Sequence, residues 1–130
     1  MNIKDKYKPY NFSETKCFII QMEIPGAGVY KIEEKLPLDM KCIKGIFITA
    51  KTLAKGNTIG SLSLGFNESI LKTLYLPIRR SSALEFHSQP IKLNEEIKSN
   101  SNVGGFFITA LEEDAYPIYM KIYLHYEQKL

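Results

Sequence analysis

The chain has 130 residues, 14.9 kDa, 45% hydrophobic and 24% charged side chains, and a net charge of +3. That is one domain of ordinary globular composition, long enough to bury about two-thirds of its unfolded surface without staples. No stretch approaches the ~20 apolar residues of a membrane-spanning helix, and no apolar run follows the Lys-rich start, so neither a membrane anchor nor a secretory signal is expected.

Residues 1–15 are polar, rich in Lys and Tyr, and interrupted by Pro9. They follow neither helical nor strand periodicity and read as an extended arm, which either frays in solution or is pinned on a neighbouring subunit. Tyr7, Tyr10 and Phe12 favour the second, because a solvated tail has little use for three rings.

From residue 16 to residue 130 the chain reads as a single β-sandwich domain. Short runs rich in Ile, Tyr, Phe, Thr and Val alternate with Gly, Pro, Asn and Ser, the pattern of strands at intervals of about 8–12 residues. The expected strands are Lys16–Ile24, Val29–Ile32, Lys41–Lys51, Ile59–Phe66, Leu71–Ile78, Ala83–His87, Ile91–Leu93, Val103–Leu111 and Tyr116–Glu127. One helical turn could fit within Asn67–Leu74, but no window carries an apolar helical face over three turns.

The last run alternates most strictly. Tyr116, Ile118, Met120, Ile122, Leu124 and Tyr126 take one face, and Pro117, Tyr119, Lys121, Tyr123 and His125 the other. Period two places the first set on a core. The second set is rich in rings. It reads either as cross-strand packing on an exposed sheet or as a contact surface, where Tyr is favoured because its ring is buried and its hydroxyl stays wet.

The hexapeptide Gly45-Ile46-Phe47-Ile48-Thr49-Ala50 returns as Gly105-Phe106-Phe107-Ile108-Thr109-Ala110. At the same offset Leu62, Leu64 and Phe66 fall opposite Ile122, Leu124 and Tyr126. If the echo is structural, the sandwich holds two equivalent hairpin-like units. Eight or nine strands and no long helix fit a two-sheet antiparallel β-sandwich, a single jelly roll of about eight strands. A closed lipid-carrying barrel is the competitor. It is disfavoured by the missing Trp and by Ile24–Lys41, whose prolines and glycines leave no room for two helices.

Cys17 and Cys42 sit inside apolar runs without CxxC spacing and read as small buried hydrophobes. Asn11-Phe12-Ser13 and Asn67-Glu68-Ser69 match a glycosylation pattern that has no meaning without export. His87 and His125 have no partner at metal-ligand spacing, and His87 is expected to end a strand beside Ser88-Gln89-Pro90. Lys and Arg are spread along the chain, with Arg79-Arg80 the only adjacent arginines, which argues against a nucleic-acid face. Glu33-Glu34, Glu95-Glu96 and Glu112-Glu113-Asp114 fall in loops or at strand ends, where solvated charge is the ordinary reading and calcium the sharper one. No nucleophile elbow, phosphate loop or dinucleotide fingerprint occurs. Gly60-Ser61-Leu62-Ser63-Leu64-Gly65 alternates as a strand whose small outer face would admit close approach by another sheet.

In length, strand spacing, N-terminal arm and the closing Lys121-Ile122-Tyr123-Leu124-His125-Tyr126 strand, the chain resembles the short single-jelly-roll structural proteins of bacteriophage virions. The resemblance implies a non-enzymatic capsid vertex, decoration or head-fibre subunit, assembled in the host cytoplasm into the virion. Its partners would be copies of itself and other virion proteins, with no cofactor, metal, catalytic residue, nucleic acid, membrane or small-molecule ligand. The expected interface is Tyr7, Tyr10, Phe12, Tyr119, Tyr123 and His125. The alternative is a carbohydrate-binding β-sandwich module using the exposed tyrosines as stacking platforms. A third is an adaptor that takes a peptide along an edge strand.

Overall fold

The structure, a computed structural model, describes residues 16–52, 58–66, 74–82, 85–88, 90–98, 101–109 and 116–129. Residues 1–15 lie outside this set, as do 67–73, where the helical turn is expected, and the acidic trio at 112–114. Every regular element described is a strand: β1 (Lys16–Ile24), β2 (Val29–Lys35), β3 (Met40–Lys51), β4 (Thr58–Phe66), β5 (Leu74–Arg80), β6 (Glu85–His87), β7 (Ile91–Glu96), β8 (Asn102–Thr109) and β9 (Ile118–Gln128). All pairings are antiparallel.

The strands form two layers. One runs β1-β9-β3 with β6 and β7 sharing the far edge of β3, and the other runs β5-β4-β8-β2. β6 also touches β5, so a three-residue strand carries the hydrogen-bond path from one layer to the other. The pairs nest, with β1 on β9, β2 on β8, β3 on β6 and β7, and β4 on β5. That is a long antiparallel ribbon folded over on itself, the strand order of a single jelly roll. β6 and β7 together fill one strand position, which makes eight positions from nine segments. Among the described residues the path is open, with β1 and β2 at its ends, and the two packed layers make a sandwich where a closed lipid barrel is the competing expectation.

The split between β6 and β7 has a local cause. Pro90 has no N–H to offer a ladder, and Ser88 closes the gap instead. Its backbone N–H donates to the Ile48 carbonyl at 3.0 Å, and its hydroxyl accepts the Ile48 N–H at 2.9 Å. Ser88 is buried, yet all of these groups are satisfied, as an interior requires.

The core lies between the layers. Ile20 and Ile24 of β1, Ile46, Ile48 and Ala50 of β3, and Ile118 to Tyr126 on the even positions of β9 face Ile32, Leu62, Leu64, Phe66, Ile78, Val103 and Phe107 of the other layer. The alternation read in the last strand therefore holds residue by residue. Cys42 is buried, its thiol donating to Asn94 Oδ1 at 3.3 Å, but Cys17 is exposed. The correction at Cys17 follows from parity. Ile20, Ile24 and the half-buried Phe18 and Met22 point inward, so the odd positions, including Cys17, look outward.

The echoed segments are not hairpin-like units. β3 and β4 lie in opposite layers, as do β8 and β9, and hydrogen bonding runs between the copies, β3 with β9 and β4 with β8. The repeated hexapeptide also presents opposite faces. Ile46 and Ile48 are fully buried, whereas their counterparts Phe106 and Ile108 are 48% and 47% exposed.

Candidate functional site: the aromatic outer face of the β1-β9-β3 sheet

Outward positions of three strands line up in rows set by register. Glu23, Tyr119, Lys51 and Glu85 form one row, and Gln21, Lys121, Thr49 and His87 the next. Ile19, Tyr123 and Phe47 form a third, and Cys17, His125, Gly45 and Lys92 a fourth. The face is thus apolar and ringed in the middle and charged at one end.

Phe47 sits at the centre of the rings. Its centroid lies 6.2 Å from Tyr123 and 5.4 Å from His87, both tilted, the separations at which aromatic pairs attract through their quadrupoles. Tyr119 lies outside this cluster and is 54% exposed, and Ile19 is 44% exposed. Next to Gly45, which has no side chain to cover it, His125 is half-buried. Burial holds its imidazole below the ordinary range, which keeps the ring neutral near pH 7. Partial burial likewise pushes the neighbouring Cys17 thiol up, so the thiolate form is disfavoured there.

Between β1, β9 and β3 the face hollows into an open concavity of about 640 Å³, bordered by Gln21, Glu23, Thr49, Lys51, Tyr119, Lys121 and Tyr123. Two rings with amide, hydroxyl, carboxylate and ammonium groups around them can stack on a flat partner and hydrogen-bond its edge.

Of the six interface residues expected from the sequence, Tyr119, Tyr123 and His125 share this face, while Tyr7, Tyr10 and Phe12 lie outside the described residues. Residues 1–15 lead into Lys16, on β1, which stands at one end of the strand order among the described residues and pairs Lys16 with Tyr126. Sequence reasoning missed Phe47, Thr49 and Lys51, which complete the face from β3. His87 does end its strand beside the Ser88–Pro90 break, with its ring on Phe47. Among the described residues no cluster of three or more His, Cys, Asp or Glu could hold a metal ion, and no helix is long and apolar enough to cross a membrane.

Neither a family model nor a curated protein matches the chain. A solved structure that resembles it is that of dimeric latent PorU from Porphyromonas gingivalis, at 10% identity and a TM-score of 0.44 over 88% of this chain. The chain spans 13% of that protein's length, and a likeness of this degree bears on neither activity nor partners.

Proposed function

We propose that this chain is a non-enzymatic virion structural protein, a capsid vertex, decoration or head-fibre subunit that works by assembling with copies of itself and with other virion proteins. The observation that carries the reading is the outward face of β9, where the exposed ring of Tyr119 stands on the same side as the partly covered rings of Tyr123, His125 and Phe47. Rings with one wet end are the side chains enriched at protein interfaces. The arm of residues 1–15, with Tyr7, Tyr10 and Phe12, is the second contact of this reading. Identical subunits joined through such faces close into symmetric rings, and symmetry sets their number. The test is Tyr119→Ser with Tyr123→Ser, read by solution mass. The assembly is expected to lose copies, and unchanged stoichiometry would remove this face from the interface.

The concavity beside Tyr119 and Tyr123 favours one other reading, a carbohydrate-binding module. Its two rings would stack on sugar faces while Gln21, Glu23 and Lys51 take the hydroxyls. A glycan screen with retention that disappears in the same double variant would support it, and a blank screen would retire it.

A further inference from the structure

The opposite face of the sandwich, on β2, β8 and β4, carries a second feature. Val29 is 63% exposed, Phe106 48% and Ile108 47%, and all three point outward from adjacent strands. Val29 lies opposite Ile108 in the ladder, and Ser61 lies opposite Ile108 on the other side. The next row is Lys31, Phe106 and Ser63, and the one after it Glu33, Gly104 and Gly65. Phe106 therefore stands as a knob beside a patch of small residues. A side chain at Gly104 would meet nothing closer than the Ile32 carbonyl oxygen at 3.8 Å, so the strand itself does not require glycine there. Exposed apolar surface of this kind marks a binding site more often than it stands idle.

We propose that this face docks a second copy of the chain about a two-fold axis lying between the Lys31–Phe106 and Glu33–Gly104 rows. Such an axis sets each Phe106 over the partner's Gly104 and each Ser63 over the partner's Gly65, so knobs enter open positions. It also sets Lys31 against the partner's Glu33, and the Val29–Ile108 row against the partner's Lys35 and Asn102, where the aliphatic stem of Lys35 can lie over Val29. Along β2 the outward charges are Lys31, Glu33 and Lys35, and Lys31 Nζ already lies 3.3 Å from Glu33 Oε2 within one chain. The Lys31–Glu33 step is complementary to its own two-fold copy, which is the requirement of an isologous interface, and this selects a second copy over a partner of one charge sign. Three strands about 4.8 Å apart and about 27 Å long present roughly 400 Å² in projection. That is below the ~800 Å² per partner of a standard complex, so the pair forms and dissociates with concentration. The inference concerns the face away from the tyrosines and stands whichever reading of that other face holds.

The test uses the full chain with Tyr7, Tyr10, Phe12, Tyr119 and Tyr123 each replaced by Ser, so that both contacts of the proposed function are removed and this face is the one left to associate. Light scattering from micromolar to sub-millimolar concentration is expected to move from one chain mass to two. Phe106→Ser and Gly104→Leu, each added to that background, are expected to raise the dissociation constant by about tenfold or more, the scale of an interface hot spot. Gly104→Leu should leave the fold intact, as read by circular dichroism. Lys31→Glu alone brings like charges together across the axis and weakens the pair, and Lys31→Glu with Glu33→Lys restores it. A monomer at every concentration, a pair indifferent to Phe106→Ser and Gly104→Leu, or a double reversal that fails to restore association would each overturn the proposal. None of these results depends on whether the tyrosine face assembles.

Discussion

Tyr126 donates its hydroxyl to Asp39 Oδ1 at 3.4 Å, joining the closing strand to the turn before β3 across most of the chain length. Lys16 Nζ reaches the other carboxylate oxygen at 3.4 Å, and the backbone N–H of Lys129 donates to the Asp39 carbonyl at 2.7 Å. Asp39 thereby ties the start of β1 and the end of β9 to one turn, at the point where residues 1–15 join the sandwich. The Lys16 pair is exposed and contributes little, so the buried tyrosine is the member to perturb.

Burial, and after it the Asp39 carboxylate, pushes the Tyr126 hydroxyl above the ordinary tyrosine value. The unfolded chain therefore gives up this proton at lower pH than the folded one. The contribution of Tyr126 is whole below about pH 10 and is lost as pH rises through the folded value. Tyr126→Phe is expected to cost about 1 kcal/mol at pH 8 and progressively less above pH 10. Denaturant unfolding of both proteins at several alkaline pH values checks this, and a pH-independent difference would contradict it.

The inverted faces of the echoed hexapeptide make a matched pair of substitutions. Ile48→Ala empties a fully buried site and is expected to cost about 2–5 kcal/mol. Ile108→Ala, at the equivalent position of the other copy, is expected to cost about 1 kcal/mol or less. Equal costs in thermal unfolding would mean that the two copies do face the same way.

Two adjacent glycines separate in the same manner. A Cβ on Gly105 would run into the Ser63 carbonyl and the Leu64 backbone of β4, whereas one on Gly104 has room. Gly105→Ala is expected to destabilise by about 2–3 kcal/mol through forced separation of β8 from β4, and Gly104→Ala to be neutral or slightly stabilising. Thermal unfolding of the two variants side by side checks the contrast. Gly60 behaves like Gly105. It has φ +148° at the irregularity where β4 loses register with β5, and its missing side chain admits the Ile108 carbonyl.

What is legible in the sequence follows from period two where only one face is apolar. β9 alternates core and outer residues from Ile118 to Glu127, so the pattern alone assigns its faces, and with them Tyr119, Tyr123 and His125. β8 cannot be assigned that way. Gly-Gly-Phe-Phe-Ile-Thr is apolar or small on both faces, and only pairing with β2 and β4 decides that Phe107 goes in while Phe106 and Ile108 stay out. Phe47, Thr49 and Lys51 do alternate visibly with Ile46, Ile48 and Ala50. Their place beside β9 depends on strand order, which local pattern does not encode. The same holds for the echo, whose equal spacing conceals the parity change, and for Cys17, whose apolar neighbours belong to the other face of β1.

The most direct measurement is the solution mass of the full chain by light scattering, beside that of the chain lacking residues 1–15. Assembly through the arm and the tyrosine face predicts a single mass of several copies for the full chain, falling to one or two copies without the arm. A monomer in both, or the same oligomer in both, would contradict it.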